Sequence, residues 1–294
     1  MGRLQNGFYT ALGTPIDENG DLIPESLEKQ IEMQIENGAA GLLLMGSMGI
    51  EAYLKNSTYT DVVKTAVKAV DARVPLFVGA MDNSITKVME KIELIGDANI
   101  DGIVLTVPFY SAIKDEQAIN WFTVLADKSP YPIYIYDLAA VVKYKINMDV
   151  IDRLIKHKNI KGIKTADWEM IQAIGRKYPE ENFECLYSGL DSFDYANMMG
   201  IGKNLDGMFA CAPKNGQKMM ECFKNKDFIG GRKYLDNILL LRDTMIKYRL
   251  MPCFSWCMTL LGMKGNYHQD YNLPVSDEGL AKLEEIMKEI GELE

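Results

Sequence analysis

Short apolar runs alternate with longer amphipathic stretches through most of the chain. The runs at residues 8–13, 41–45, 75–80, 102–107, 132–137, 160–165, 184–188 and 205–210 have the length and composition of buried strands. The stretches between them have helical spacing. In 26–36, Leu27, Ile31 and Ile35 fall on one face. Residues 61–70 and 85–95 repeat that pattern, and 147–155 follow a polar start. Eight strand–helix repeats over about 220 residues predict an α/β fold, a (β/α)8 TIM barrel rather than a doubly wound sheet. The first strand–helix turn also lacks the GxGxxG run of a dinucleotide-binding fold. Beyond the eighth repeat only helices are expected, at 216–225, 228–245, 253–261 and 278–293, with bends at Gly230-Gly231 and Leu250-Met251-Pro252. The expected division is a barrel over 1–224 carrying the active site and a C-terminal helical region over 225–294.

The same pattern singles out Lys164. Strand alternation puts Ile160, Gly162 and Lys164 on one face, and Lys161, Ile163 and Thr165 on the other. An ammonium near the end of an inward-facing strand is costly to desolvate unless it is paired or neutral. A neutral amine is a nucleophile for carbonyl carbon. One repeat upstream, the run 131–137 ends in Tyr136-Asp137, so lysine and tyrosine would converge on one mouth of the barrel. Each residue alone also fits a blander role: the lysine as a solvated strand end, the tyrosine as an amphipathic cap of the core.

Composition narrows the classes. The 294 residues carry a net charge of −9, with 48% hydrophobic and 25% charged residues, as in a soluble globular protein. The absence of any basic run argues against a nucleic-acid partner, and no apolar run approaches membrane-spanning length. The five cysteines form no CxxC pair, and with only two histidines, His157 and His268, a zinc site is not expected. Residues 1–7 contain no apolar signal core, and the odd cysteine count suits free thiols in a cytoplasmic protein.

Catalytic residues of such barrels lie at the C-terminal ends of the strands. Those ends read Gly46-Ser47-Met48-Gly49, Pro108-Phe109-Tyr110, Tyr136-Asp137, Lys164, Ser188-Gly189-Leu190-Asp191 and Phe209-Ala210. Glycine-rich turns with hydroxyls expose N–H groups that can hold a carboxylate. In order and spacing, Gly-Ser-Met-Gly, Val-Pro-Phe-Tyr, Ile-Tyr-Asp, Gly-Ile-Lys and Ser-Gly-x-Asp resemble the dihydrodipicolinate synthase / N-acetylneuraminate lyase superfamily of pyruvate-dependent class I aldolases. The resemblance covers the whole chain. It implies that Lys164 forms a Schiff base with the keto carbon of pyruvate and that Tyr136 shuttles protons. It makes Ser47 a relay partner of that tyrosine and Tyr110 a residue that reaches a neighbouring subunit's site. It makes Met48, Gly49, Thr165, Gly189, Asp191 and Phe209 the substrate contacts. It further implies no metal or organic cofactor, a 2-oxo acid and an aldehyde as small-molecule partners, and a homo-oligomer, tetramer or dimer.

Departures from the family pattern bear on the substrate. Met48 stands where a second hydroxyl is usual and Ile50 where a glutamate is usual. Val141 occupies the place of the arginine that grips an aldehyde's carboxylate in dihydrodipicolinate synthases. Lys143, two residues on, is no planar bidentate equivalent. The expected activity is therefore a class I aldolase or lyase acting on 2-keto-3-deoxy sugar acids or acylneuraminates. Dihydrodipicolinate synthase is the enzymatic alternative, and a non-catalytic 2-oxo-acid-binding barrel is the second.

Overall fold

Each of the eight apolar runs forms a parallel strand, and the strands pair in chain order until β8 closes on β1. The computed structural model describes residues 4–294; Met1, Gly2 and Arg3, part of the N-terminal segment read above as lacking a signal core, lie outside the described residues. The strands are β1 Gly7–Ala11, β2 Gly41–Leu44, β3 Leu76–Gly79, β4 Gly102–Leu105, β5 Ile133–Asp137, β6 Ile160–Thr165, β7 Glu184–Tyr187 and β8 Lys203–Asp206. Helices α1 Pro24–Glu36, α2 Asn56–Val70, α3 Ile85–Ile95, α4 Asp115–Lys128, α5 Met148–Leu154, α6 Trp168–Lys177, α7 Phe193–Met198 and α8 Pro213–Lys224 follow the strands in turn. Then come α9 Phe228–Lys247, α10 Leu250–Leu260 and α11 Asp277–Glu289. Among the described residues, no helix is long and apolar enough to cross a membrane.

Strand alternation divides the core into two layers. Tyr9, Leu43, Phe77, Val104, Tyr134 and Leu186 fill the barrel interior. Leu42, Leu44, Val78, Ile103, Ile135 and Ile163 face the helices. The large interior rings need space: a Cβ at Gly162 would meet the Tyr134 ring at 2.8 Å, and one at Gly41 would meet Tyr9 at 2.6 Å. Ile160 departs from the expected face. A register shift at Ile133/Tyr134 offsets the start of β6, and Ile160 joins the outer layer.

Two other local expectations are corrected. The last strand ends at Asp206, not at residue 210. The Asp206 carboxylate accepts the Met208 N–H (2.8 Å) and turns the chain into a short 3-10 helix, Met208–Ala210. Gly230-Gly231 do not break α9. Asp227 caps its first turn through the Gly230 N–H (2.8 Å), and Gly231 leaves room for the Phe223 ring. The break comes at Arg249, whose φ of 85° separates α9 from α10. Pro252 falls in the first turn of α10, where no intrahelical N–H bond is lost. The C-terminal helices share one apolar layer with the barrel: Phe254, Cys257, Leu283 and Met287 belong to the same cluster as Phe8 and Leu12.

Candidate active site

Lys164 and Tyr136 are direct cross-strand neighbours on the parallel β5–β6 pair. The Lys164 ammonium donates to Tyr136 Oη at 3.0 Å and lies 4.1 Å from the centroid of that ring. Both side chains are only 6% exposed. Strand periodicity alone places them here: inward-facing positions one register step apart, each at the C-terminal end of its strand.

The pair opens into a cavity of about 450 Å³ at that end of the barrel. Its polar wall consists of Asp137, Lys145, Asp167, Ser188 and Asp206. Asp137 organises one side. Its carboxylate accepts Thr165 Oγ1 at 2.7 Å, Lys145 Nζ at 2.5 Å and the Ile146 N–H at 3.1 Å. Lys145 also pairs with Asp167 at 3.1 Å, and Asp167 caps α6 through the Met170 N–H. Burial opposes the charge on Lys145, but Asp137 and Asp167 outweigh it and raise the ammonium's pKa. Burial likewise disfavours ionised Asp167, yet the Met170 N–H and Lys145 hold its carboxyl below the usual range. Across the cavity, burial raises Asp206 above the ordinary carboxylate range, with the Met208 N–H and Lys164 opposing.

A second cavity of about 200 Å³ shares Leu138 with the first and is mainly apolar. Ser47 borders this chamber, as do Glu51, Thr106, Phe109 and Val141. Met48 is half-buried and packs with the barrel-interior side chains, against Gly207 at the end of β8: a Cβ at Gly207 would meet it at 2.8 Å. A third cavity, about 360 Å³, is bordered by Glu184 and Lys203 at the starts of β7 and β8, the opposite end of the barrel from Lys164. Its position at the N-terminal face separates it from the strand ends where barrel enzymes place their chemistry.

Several expected contacts lie elsewhere. Thr165 is fully buried on the outer face and is occupied by Asp137. Phe209 is fully buried, tilted against Phe8 with centroids 5.1 Å apart, because the strand ends three residues before it. Asp191 is held by both guanidinium nitrogens of Arg242, at 2.6 and 2.7 Å, which keeps its carboxyl below the usual range. Gly189 leaves room for the Tyr187 hydroxyl, 2.3 Å from where a Cβ would stand. Gly49 packs on the Met45 backbone, and its carbonyl accepts the Thr14 hydroxyl at 2.7 Å. None of these five borders the Lys164 cavity. Tyr110 is 83% exposed, on a loop held by its own N–H bond to Asn83 Oδ1 (2.7 Å), and does not reach Lys164 within the chain. Sequence reading passed over Lys145, Asp167 and Asp206. A strand boundary at 206 would have exposed the last.

The dihydrodipicolinate synthetase family model matches residues 4–290. The 4-hydroxy-tetrahydrodipicolinate synthase of Geobacter sulfurreducens is 28% identical over 288 residues, 96% of this chain and 98% of that protein. The enzyme of the same name from Neisseria meningitidis serogroup B is 28% identical over 291 residues, 98% of this chain and 99% of its own. The crystal structure of dihydrodipicolinate synthase from Thermotoga maritima superposes with a TM-score of 0.89 at 20% identity, covering 99% of this chain and 100% of that one. A prophage protein of the same family from E. coli, solved in complex with pyruvate, gives 0.87 at 20% identity over 98% of this chain and 99% of its own.

Proposed function

The chain belongs to the dihydrodipicolinate synthetase family, pyruvate-dependent Schiff-base lyases, and on that premise we propose that at Lys164 it joins pyruvate to an uncharged, hydroxylated aldehyde, or cleaves the corresponding 2-oxo acid into those two. The observation that carries the reading is the buried Lys164–Tyr136 pair, 3.0 Å apart at adjoining strand ends. In the neutral form the Lys164 amine attacks the keto carbon of the 2-oxo acid. The oxygen of the resulting carbinolamine leaves as water after protonation, with Tyr136 Oη as the proton carrier at Nζ. The iminium draws electron density from C3, so a C3 proton passes to water to give an enamine. C3 then bonds to the aldehyde carbon as the aldehyde oxygen takes up a proton, and water hydrolyses the new iminium to release the product and free Lys164. Cleavage runs the same steps in reverse. Burial of the pair helps because the imine is shielded from bulk water.

Acceptor charge supports the departure from the named relatives. The wall of the cavity holds three carboxylates, Asp137, Asp167 and Asp206, against the ammonium of Lys145 once Lys164 is consumed as the neutral enamine. Val141, in place of the expected arginine, is 61% exposed and borders the apolar chamber. A second carboxylate would enter that wall without a cationic fork. The relatives' activity, 4-hydroxy-tetrahydrodipicolinate synthesis, is the second reading, favoured by similarity along the full length of the chain. A homo-oligomer and a cytoplasmic setting complete the proposal.

The test is direct. Incubation with pyruvate, reduction with borohydride and peptide mapping are expected to place a single adduct on Lys164. Product mass after adding aldehydes then distinguishes the two readings: efficient turnover of aspartate semialdehyde favours the synthase. No adduct, or one on another lysine, overturns both.

A further inference from the structure

Asp206 closes β8 and shares the cavity with Lys164, yet nothing in the expected chemistry assigns it a task. Its Oδ1 accepts the Met208 N–H at 2.8 Å, and no side chain donates to its other oxygen among the described hydrogen bonds. The nearest formal charges balance poorly: Arg242 is committed to Asp191 and Asp243, and Lys145 to Asp137 and Asp167. Lys164 is the one cation facing Asp206 across the cavity that the reaction itself removes.

We propose that Asp206 reads the acceptor: its free carboxyl oxygen takes the hydrogen bond of a hydroxyl on the aldehyde that meets the Lys164 enamine, and it turns away an acceptor bearing a carboxylate. This rests on the aldolase reading above and names the substrate class of that site. A hydroxyl suits the position because it donates one hydrogen bond without adding charge. An anionic group there faces Asp206 directly, with the Asp137–Lys145–Asp167 group as the remaining polar wall. Burial raises the Asp206 carboxyl above the ordinary carboxylate range, with the Met208 N–H and Lys164 opposing. The neutral form still accepts through its carbonyl oxygen and donates through its hydroxyl, so a substrate hydroxyl remains a partner across that titration. Ser188, on the same wall, adds an uncharged hydrogen-bonding group.

The experiment compares kcat/KM for pyruvate with glyceraldehyde, propanal and succinic semialdehyde in the wild type, Asp206→Ala, Asp206→Asn and Asp206→Ser. The three-carbon aldehydes differ only in hydroxyls, and the third carries a carboxylate. A site built to hydrogen-bond a hydroxyl rejects the analogue lacking it, so the wild type is expected to prefer glyceraldehyde over propanal by about tenfold or more. In Asp206→Ala that ratio falls to within about threefold and use of succinic semialdehyde rises several-fold. Asp206→Asn keeps much of the hydroxyl preference but loses the discrimination against the anion. Asp206→Ser retains an oxygen near the Met208 N–H and supplies the same ratios if the alanine variant folds poorly. Ratios equal to wild type in all variants overturn the proposal. So does uniform loss for all three aldehydes together with loss of pyruvate trapping, because Asp206 would then only position Lys164. Failure of the wild type to trap pyruvate strikes the aldolase reading instead.

Discussion

At the scale of single residues, Tyr136 carries the sharpest test of the chemistry. Its ring is packed in the barrel interior and its hydroxyl is the hydrogen-bond partner of Lys164. Tyr136→Phe keeps the ring and deletes only the group that moves a proton. Such roles contribute roughly 10²–10⁴-fold, so kcat is expected to fall by that much while the unfolding temperature stays within a few degrees. Turnover within a few-fold of wild type would make Tyr136 a core cap. Lys164 and Tyr136 were legible because period-two alternation and the strand-end rule depend only on short local sequence. Thr165 shows the limit of resemblance. Alternation alone had put it on the face opposite Lys164, and its hydroxyl is indeed spent on Asp137. Asp191 was illegible for another reason: its partner Arg242 lies 51 residues away on α9, and no local pattern links them.

Elements were read well in kind and order, and less well at their ends, where one side chain decides the matter. Asp206 ends β8 by capping Met208, and Pro213 at the first turn of α8 starts that helix earlier than its apolar spacing suggests. The turn after β2 repeats the lesson. The glutamate missing at position 50 stands one residue later. Ile50 takes a left-handed φ of 49°, and Glu51 turns inward, 3% exposed. There it ties the turn to α3 through Lys91 at 2.6 Å, leaving Oε2 without a partner. Burial pushes the Glu51 carboxyl up to about 7 despite Lys91. A folded-state pKa above the unfolded value means stability that is complete below about 4.5 and lost as pH rises through about 7. Relative to Glu51→Gln, the wild type is therefore expected to lose on the order of 2–3 kcal/mol between those limits. Urea midpoints of the two proteins from pH 4.5 to 8 read the difference. A wild type that gains on the variant as pH rises refutes it.

For the whole molecule, the barrel and the C-terminal helices share one apolar cluster. Tyr110 is among the large side chains that the single chain leaves exposed: it is 83% exposed on the loop after β4, fixed at its backbone by Asn83. Under the proposed homo-oligomer, a tyrosine already tethered at its backbone would meet a neighbouring surface at little further ordering cost. In a two-fold symmetric pair each subunit would lend its tyrosine to the other's Lys164 cavity. Subunit mixing tests this without any assumption about affinity. Lys164→Ala removes the nucleophile, and Tyr110→Ala removes the lent side chain. In a mixed pair the subunit retaining Lys164 receives Tyr110 from its partner, and one working site is rebuilt. Random reassortment into dimers is expected to restore about a quarter of wild-type activity from two variants that are each nearly inactive. Light scattering establishes that the subunits associate. Associated subunits that recover nothing on mixing would show that Tyr110 serves its own subunit or none.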